Sequence, residues 1–253
     1  MVFIPGLVSI SFRPLSTDNL IAQMKANGLK AVEWGSDVHV PFGNLEAAEK
    51  VKKATEEEGI LMPEYGSYYE IGVSDKNDID GIVASARVLG AKVIRLWASN
   101  KCRYEMTDEY YAFCVEDAKR ICAKYPDMMF CLENHVHSIT DEYREALKFL
   151  VDVGMPNFRM FWQPNQNRSY EDNCAALKAL LPFVYSVHVF SWETVNGKLE
   201  RYPLAHFRDR WLGYLDILKD SDKENIFLML EFMHDDKIET LPETAAELLS
   251  WLK

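Results

Sequence analysis

The sequence has few basic residues: 28 Lys and Arg stand against 39 Asp and Glu, giving a formal charge of −11. Clustered Lys and Arg bind a nucleic-acid backbone, so this balance argues against a nucleic-acid partner. No apolar run approaches the roughly 18 residues of a membrane helix, and the first residues lack the charged start and long apolar stretch of a signal peptide. We therefore expect a cytoplasmic protein without a membrane partner.

Cysteine is also sparse, and its pattern argues against two kinds of site. The five cysteines contain no CxxC pair, the spacing typical of zinc and redox motifs, and an odd number leaves one cysteine out of any disulfide pairing. We therefore expect reduced, mostly buried thiols, which agrees with a cytoplasmic protein.

Short apolar runs alternate with segments of helical period along the whole chain. Eight strand–helix units can be counted, the first being "LVSISF" (7–12) with "STDNLIAQMKANG" (16–28) and the last "IFLMLEF" (226–232) with "LPETAAELLSWLK" (241–253). The strands are continuously apolar, as parallel strands buried on both faces require. A doubly wound sheet would usually show a glycine-rich phosphate loop after strand one, and "SFRPLST" is no such loop. We predict an α/β fold, a single (β/α)8 TIM barrel domain over residues 1–253.

Polar residues close most of the apolar runs, and in such a barrel the reactive groups lie at these carboxyl ends of the strands. Burying a carboxylate without a partner is costly. Glu133, His188 and Glu231, from strands five, seven and eight, would converge on one mouth, and a divalent cation is the simplest partner for all three. The other polar or aromatic strand ends are Glu33 and Trp34, Arg95 and Trp97, Asn134 and His135, and Gln163 and Asn165.

Several of these residues also have an ordinary structural interpretation. A Glu at a strand end is often paired with Lys or Arg, and a His within a strand is often a hydrogen-bonded core residue. Arg95 could form an ion pair with Glu33 or Glu64 rather than bind a substrate. His39 and His206 lie in predicted loops, and we expect them at the surface. The coincidence of two carboxylates and an imidazole at one level of a barrel favours the metal hypothesis.

The chain resembles the xylose isomerase-like TIM barrels, the sugar phosphate isomerase/epimerase superfamily, over essentially its whole length. The segments that carry the resemblance are "GLKAVEW", "LGAKVIRLWAS", "CLENH", "VHVFSW" and "LMLEF". In that family a Glu, an Asp, a His and a Glu from strands five to eight hold one divalent metal. Glu133, His188 and Glu231 match three of these positions. At the fourth, "QPNQ" replaces Asp-x-x-His, so Gln163 stands for the Asp.

The resemblance implies one divalent cation held by Glu133, Gln163, His188 and Glu231. Mg²⁺ or Mn²⁺ is expected first because the ligands are mostly hard oxygens, and Zn²⁺ second because of His188. A neutral amide in place of a carboxylate predicts weaker binding, since one charge–charge attraction is missing. A non-catalytic sugar-binding barrel therefore stays an alternative.

The reaction implied by the resemblance is the isomerisation or epimerisation of a ketose or aldose through an enediolate, with Glu133 and Glu231 moving the proton. A sugar-acid or inosose dehydratase with the same site is the alternative enzyme. The expected partner is a small-molecule sugar, for which sparse basic residues favour an unphosphorylated one, and a homo-oligomer is left open. The residues predicted to contact substrate are Trp34, Arg95, Trp97, His135 and Arg201.

Overall fold

The chain folds as a closed barrel of parallel strands surrounded by helices, in a computed structural model that describes residues 1–253. The strands are β1 (Val2–Val8), β2 (Ala31–Gly35), β3 (Leu61–Glu70), β4 (Val93–Trp97), β5 (Met129–Glu133), β6 (Phe158–Trp162), β7 (Val184–Val189), β8 (Trp192–Val195), β9 (Lys198–Arg201) and β10 (Asn225–Leu230). Eight of them close the barrel in the order β1-β10-β7-β6-β5-β4-β3-β2, and β8 and β9 form a separate antiparallel hairpin.

A helix follows each barrel strand, which is the arrangement of a (β/α)8 TIM barrel. The helices are α1 (Thr17–Ala26), α2 (Leu45–Glu57), α3 (Asp78–Leu89), α4 (Asp108–Lys124), α5 (Tyr143–Val153), α6 (Tyr170–Leu180), α7 (Arg208–Leu218) and α8 (Leu241–Ser250). The predicted fold class is therefore confirmed. None of the helices combines the length and the apolar character that crossing a membrane requires.

Local sequence signals explain where several helices begin and end. Side-chain oxygens at the N-caps of α1, α2, α4 and α6 accept a backbone N–H three residues further on, which satisfies a donor that the helix itself leaves free. These caps are Ser16, Asn44, Thr107 and Ser169. The helices α3 and α5 end at Gly90 and Gly154, both in the left-handed conformation that glycine adopts without strain.

The first strand is where the sequence-based prediction was wrong. We expected a strand over 7–12, but β1 ends at Val8 and Ser9–Phe12 forms a 3-10 turn. Pro5 lacks an N–H and Gly6 lacks a side chain, so both weaken the strand signal in the sequence. Gly6 is required by packing, because a Cβ there would lie 2.3 Å from the sulfur of Met229.

Successive residues of a strand point to opposite faces, and the two faces of the barrel strands differ in content. The outward face packs on the helices and forms an apolar core of 62 buried residues, which makes it the main core of the molecule. The inward face holds only two small apolar clusters. These are Val8, Ile10, Ala31 and Met229, and Val93, Cys131 and Phe161.

The cysteines follow the expectation for unpaired thiols. All five are free, and four of them are buried. Burial raises the pKa of the Cys131 thiol well above its usual value, so this thiol inside the barrel stays protonated.

Candidate metal centre

The structure brings Glu133, His188 and Glu231 together at the carboxyl ends of β5, β7 and β10. One possible ligand atom from each lies within 4.8 Å of the others, and all three residues are buried. The Nδ1 atom of His188 is 3.7 Å from Glu133 Oε1 and 3.6 Å from Glu231 Oε2. The three side chains thus meet at one mouth as the sequence suggested, and their role as ligands stays a prediction.

Gln163 lies beside these three residues and turns its amide oxygen towards them. Its Oε1 is 3.1 Å from His188 Nδ1, while its Nε2 donates to the backbone oxygen of Asn134 at 2.7 Å. The side-chain amide of Asn134 donates back to the backbone oxygen of Gln163 at 2.8 Å. This reciprocal pair favours the orientation in which the oxygen of Gln163, the atom that could ligate a hard cation, faces the other three ligands.

Glu133 is firmly anchored. Its Oε2 accepts hydrogen bonds from Arg95 Nη1 and from Trp97 Nε1, both at 2.7 Å. Burial alone would raise the pKa of Glu133, but the Arg95 guanidinium and His188 lower it below its usual range. Glu133 is therefore an ionised carboxylate, and its second oxygen, Oε1, faces the cluster, 3.5 Å from Gln163 Nε2 and 3.7 Å from His188 Nδ1.

Glu231 differs from Glu133 in its surroundings. No hydrogen-bond donor reaches its carboxylate, and the nearest charged partner is the imidazole of His188 at 3.6 Å. The residue is 5% exposed and directly follows β10, at the carboxyl ends of the barrel strands. Of the two carboxylates, Glu231 is the one left without competing partners.

His188 is held from both sides of its ring. Its Nε2 lies 2.9 Å from Glu33 Oε2, while Nδ1 faces Glu133, Gln163 and Glu231. Burial alone would lower the pKa of His188, but the carboxylates of Glu231 and Glu33 raise it well above its usual value. The site therefore attracts positive charge, and a proton on His188 or a divalent cation among the carboxylates can supply it.

Arg95 is an ion-pair partner rather than part of the open mouth. Its guanidinium is 1% exposed and contacts Glu33 at 3.2 Å as well as Glu133 at 2.7 Å. The predicted substrate contact by Arg95 does not fit this burial, whereas the alternative, a structural ion pair with Glu33, does. Arg95 thus gives Glu33 and Glu133 a charged partner in the interior.

Trp34 requires a correction. It follows Glu33 in β2, and because Glu33 points into the barrel, Trp34 points outwards into the apolar core against the helices. It is fully buried there, beside the ring of His39 at 5.6 Å between centroids. The prediction that Trp34 lines the substrate pocket is therefore wrong, as is the expectation that His39 lies at the surface, since His39 is also buried.

Trp97 and His135 lie at the mouth of the barrel. Their rings stack with centroids 4.5 Å apart, and Tyr68 meets Trp97 edge-on at 6.1 Å. Trp97 and His135 are both partly exposed, so a molecule above Glu133 would meet their rings. Their predicted contact with substrate fits this placement and stays a prediction.

Arg201 extends from the β8–β9 hairpin, and its guanidinium pairs with Asp236 at 2.7 Å. It also lies over the rings of Trp192 and Phe232, at 4.9 and 5.3 Å from their centroids. Phe232, which follows Glu231, has a φ of 42°, a strained value for a bulky residue. The hairpin is thus fastened to the segment after β10, and Arg201 already has a carboxylate partner.

The sequence suggested Glu33 and Glu64 only as possible ion-pair partners of Arg95, and not as two neighbouring buried carboxylates inside the barrel. Both are fully buried and lie opposite each other in the β2–β3 pairing. Glu64 accepts a hydrogen bond from Ser186 at 3.0 Å, and burial together with the nearby Glu33 raises the pKa of Glu64 well above its usual value. A carboxylate within a continuously apolar run, as in "AVEWG" and "ILMPEYG", was the signal available.

No protein-family model matches the chain, and no curated protein matches its sequence. Solved structures do match it. The probable 3-DHS dehydratase AsbF of petrobactin synthesis from Bacillus anthracis is 17% identical, with a TM-score of 0.79 over 98% of this chain and 99% of that one. A xylose isomerase-like TIM barrel protein from Mycobacterium smegmatis, in complex with magnesium, is 14% identical, with a TM-score of 0.68 over 95% and 90%.

A third solved structure is the IolI protein with a bound zinc atom, 11% identical, with a TM-score of 0.72 over 98% of both chains. At such low identities these similarities establish the fold alone. The chain has the fold of the xylose isomerase-like TIM barrels, and the resemblance seen in the sequence is confirmed at that level.

Proposed function

We propose that the protein is a divalent-metal-dependent enzyme that moves a proton next to the carbonyl group of a sugar, as an isomerase or epimerase. The observation that carries this proposal is the cluster of Glu133, Gln163, His188 and Glu231 at the barrel mouth, in which one carboxylate is anchored and the other is free. Both carboxylates of such a pair can contact a cation, and the free one can also move a proton.

The donor set suits a hard divalent cation. Glu133, Gln163, His188 and Glu231 would hold it through three oxygens and one nitrogen, with Mg²⁺ or Mn²⁺ as first choice and Zn²⁺ as second. The two carboxylates balance its charge, and the hydrogen bond from His188 Nε2 to Glu33 leaves Nδ1 to face the cation. When bound, the cation would supply Lewis-acid stabilisation of negative charge that develops on the substrate oxygens.

Glu231 is the candidate general base. Its carboxylate has no hydrogen-bond donor, whereas Glu133 is bonded to Arg95 and Trp97 and has a lowered pKa, which makes Glu133 a weak base. One effective base favours removal of a proton from one carbon and its return to the neighbouring carbon, which is isomerisation. Epimerisation in its simplest form needs a second group on the opposite face, and Glu133 is poorly suited to that part.

The surroundings of the mouth favour an uncharged substrate. The two arginines predicted to contact substrate are already paired: Arg95 with Glu133, and Arg201 with Asp236. A phosphate group would need to displace one of these carboxylates. The rings of Trp97 and His135 offer an apolar surface of the kind that carries the C–H face of a sugar, so we propose an unphosphorylated sugar.

A dehydratase is the second candidate, because a single base also suits elimination. Glu231 would remove the proton, and the leaving hydroxyl would be protonated by a second group at the mouth. His135 is the candidate for this second group, since it is partly exposed and stacks on Trp97, which itself bonds Glu133. The two candidates share their first step and differ in where the proton or the hydroxyl goes next.

Proton exchange tests both candidates at once. The Mn²⁺-loaded protein is incubated in D₂O with ketoses, aldoses, inososes and dehydrated sugar acids, and liquid chromatography with mass spectrometry follows deuterium incorporation and products. An isomerised sugar supports the first candidate, and an unsaturated product supports the second. Binding of a sugar without any exchange, with Mn²⁺ bound, would mean that the barrel is a binding protein and not an enzyme.

A further inference from the structure

A buried carboxylate below the ligand cluster is neither a ligand nor a base in the reaction proposed above. Glu33, on β2, is fully buried inside the barrel. Its Oε2 lies 2.9 Å from Nε2 of His188, and its Oε1 lies 3.2 Å from Nε of Arg95. It therefore contacts both a proposed metal ligand and the residue that anchors another one.

The contact with His188 determines how that imidazole can be used. Glu33 Oε2 lies 2.9 Å from Nε2, so a neutral His188 that donates this hydrogen bond carries its proton on Nε2. The lone pair of the imidazole is then on Nδ1, the nitrogen that faces Glu133 Oε1 at 3.7 Å and Glu231 Oε2 at 3.6 Å. The opposite tautomer would place a proton where a cation has to bind.

We infer that Glu33 is a positioning residue of the metal centre, which holds His188 with Nδ1 directed at the cation and, through Arg95, fixes the place of Glu133. The inference rests on the proposed metal-dependent function. A carboxylate that accepts the second N–H of a metal-bound imidazole commonly contributes 10- to 100-fold, as an order of magnitude, to metal affinity.

The neighbouring strand, β3, has a glycine where it passes this carboxylate. A Cβ on Gly66 of β3 would lie 2.2 Å from Glu33 Oε1 and 3.2 Å from Arg95 Nη2. Any other residue at this position would push Glu33 away from Arg95 and change its approach to His188. Gly66 does not need glycine for its backbone conformation, since its φ is not in the left-handed region, so the requirement comes from the space that Glu33 and Arg95 occupy.

Glu64 provides a matched control. It is a fully buried glutamate inside the same barrel, directly opposite Glu33 in the β2–β3 pairing. Its carboxylate bonds Ser186 and not His188. Replacing Glu64 by Gln therefore makes the same chemical change in the same interior without touching the ligands.

The experiment compares Glu33→Gln and Glu64→Gln with the wild-type protein by calorimetric titration with Mn²⁺. We expect Glu33→Gln to weaken Mn²⁺ binding by roughly 10- to 100-fold and Glu64→Gln to change it less than about twofold. Thermal unfolding of each variant checks that it is folded. Should Glu33→Gln not fold, Gly66→Ala displaces the same carboxylate without removing it and is expected to weaken binding in the same direction.

A spectroscopic readout separates positioning from a merely structural role. In the Zn²⁺-loaded wild-type protein, nitrogen-15 NMR should show His188 protonated on Nε2, with a proton resonance shifted downfield by the bond to Glu33. That shift should be lost in Glu33→Gln and kept in Glu64→Gln. Equal Mn²⁺ affinity of the wild type and Glu33→Gln, or an equal loss in Glu64→Gln, overturns the role of Glu33. A wild-type protein that binds neither Mn²⁺ nor Zn²⁺ overturns the metal site itself, and the inference with it.

Discussion

The two faces of the barrel strands serve different purposes. The outward face contributes to an apolar core of 62 buried residues against the helices, whereas the inward face carries ionisable side chains above two small apolar clusters. The apolar cluster residue and a polar or charged residue follow each other on the inward face, two positions apart, as Cys131 and Glu133 do on β5. The same spacing occurs on β2, β4, β6 and β10. Stability thus comes mainly from the outer layer, and the inner one is available for chemistry.

The inner charges are weak evidence for stability. Buried ion pairs recover little more than the cost of desolvating their members, and apolar replacements are often as stable. Arg95, Glu33 and Glu133 are all buried at 3% exposure or less, in an interior that apolar side chains could fill. We therefore attribute their presence to support of the proposed metal ligands rather than to the folding of the barrel.

Among changes to either face, we expect Glu231→Gln, on the inner face, to have the largest effect, which is a loss of turnover. The change keeps the shape of the side chain but removes its ability to accept a proton, so we expect turnover of any accepted sugar to fall by about 10²- to 10⁴-fold. The fold should be intact, because no hydrogen bond to the carboxylate is lost. Steady-state kinetics at saturating Mn²⁺, with circular dichroism alongside, checks both parts. Turnover like that of the wild type would remove Glu231 from the mechanism.

The same contrast explains what the sequence could and could not predict. Periodicity located the barrel because continuously apolar strands and capped helices are local signals. It did not show which face of a strand points inwards, since both faces are apolar along most of β2. Glu33 and Trp34 are neighbours at the end of that run, and we assigned the pocket to Trp34, whereas Glu33 faces inwards.

The contacts made by loop residues are a second feature that the sequence did not predict. His39 was expected at the surface because it lies between β2 and α2, but its loop folds back and the ring packs beside Trp34. Arg201 was placed near the mouth by resemblance, while its pairing with Asp236 depends on how the hairpin meets the segment after β10. Contacts between distant loops are set by tertiary packing, which a single sequence does not specify.

Truncating the outer face should cost stability without affecting the site. Phe149 of α5 is fully buried and packs edge-on against Tyr111 and Phe158, at 5.7 and 6.1 Å between ring centroids. We expect Phe149→Ala to lower the free energy of unfolding by about 3–5 kcal/mol, measured by urea denaturation. Mn²⁺ affinity of the folded variant should match that of the wild type. A large loss of affinity would show that the two layers are coupled.

Adding charge to the inner face should change metal affinity more than stability. If Gln163 is a ligand, Gln163→Asp adds a third carboxylate to the cluster, and we expect Mn²⁺ to bind roughly tenfold more tightly. Calorimetric titration of both proteins measures this. The shorter Asp side chain also loses the bond from Nε2 to the backbone of Asn134, so Gln163→Asn serves as a control for length alone. Equal or weaker binding by the Asp variant would show that Gln163 is no ligand.

The smallest expected effect is a change in stability with pH, caused by Glu64 on the inner face below the site. Burial and the neighbouring Glu33 raise the pKa of Glu64 above its usual value, so the folded protein binds this proton more tightly than the unfolded chain does. The stability that this confers is fully present below the pKa of an unfolded Glu, about 4.3, and is lost as pH rises through the raised pKa of the folded state.

Glu64→Gln keeps a neutral side chain at every pH, so it should match the wild type near pH 4 and be more stable at pH 8. We expect the difference in Tm at pH 8 to be a few degrees, since about 1 kcal/mol moves Tm by ~2–4 °C in a chain of this size. Differential scanning calorimetry at the two pH values measures it. The same gain at both would point to better packing, while a gain confined to pH 8 would show that the interior below the ligand cluster favours a neutral group.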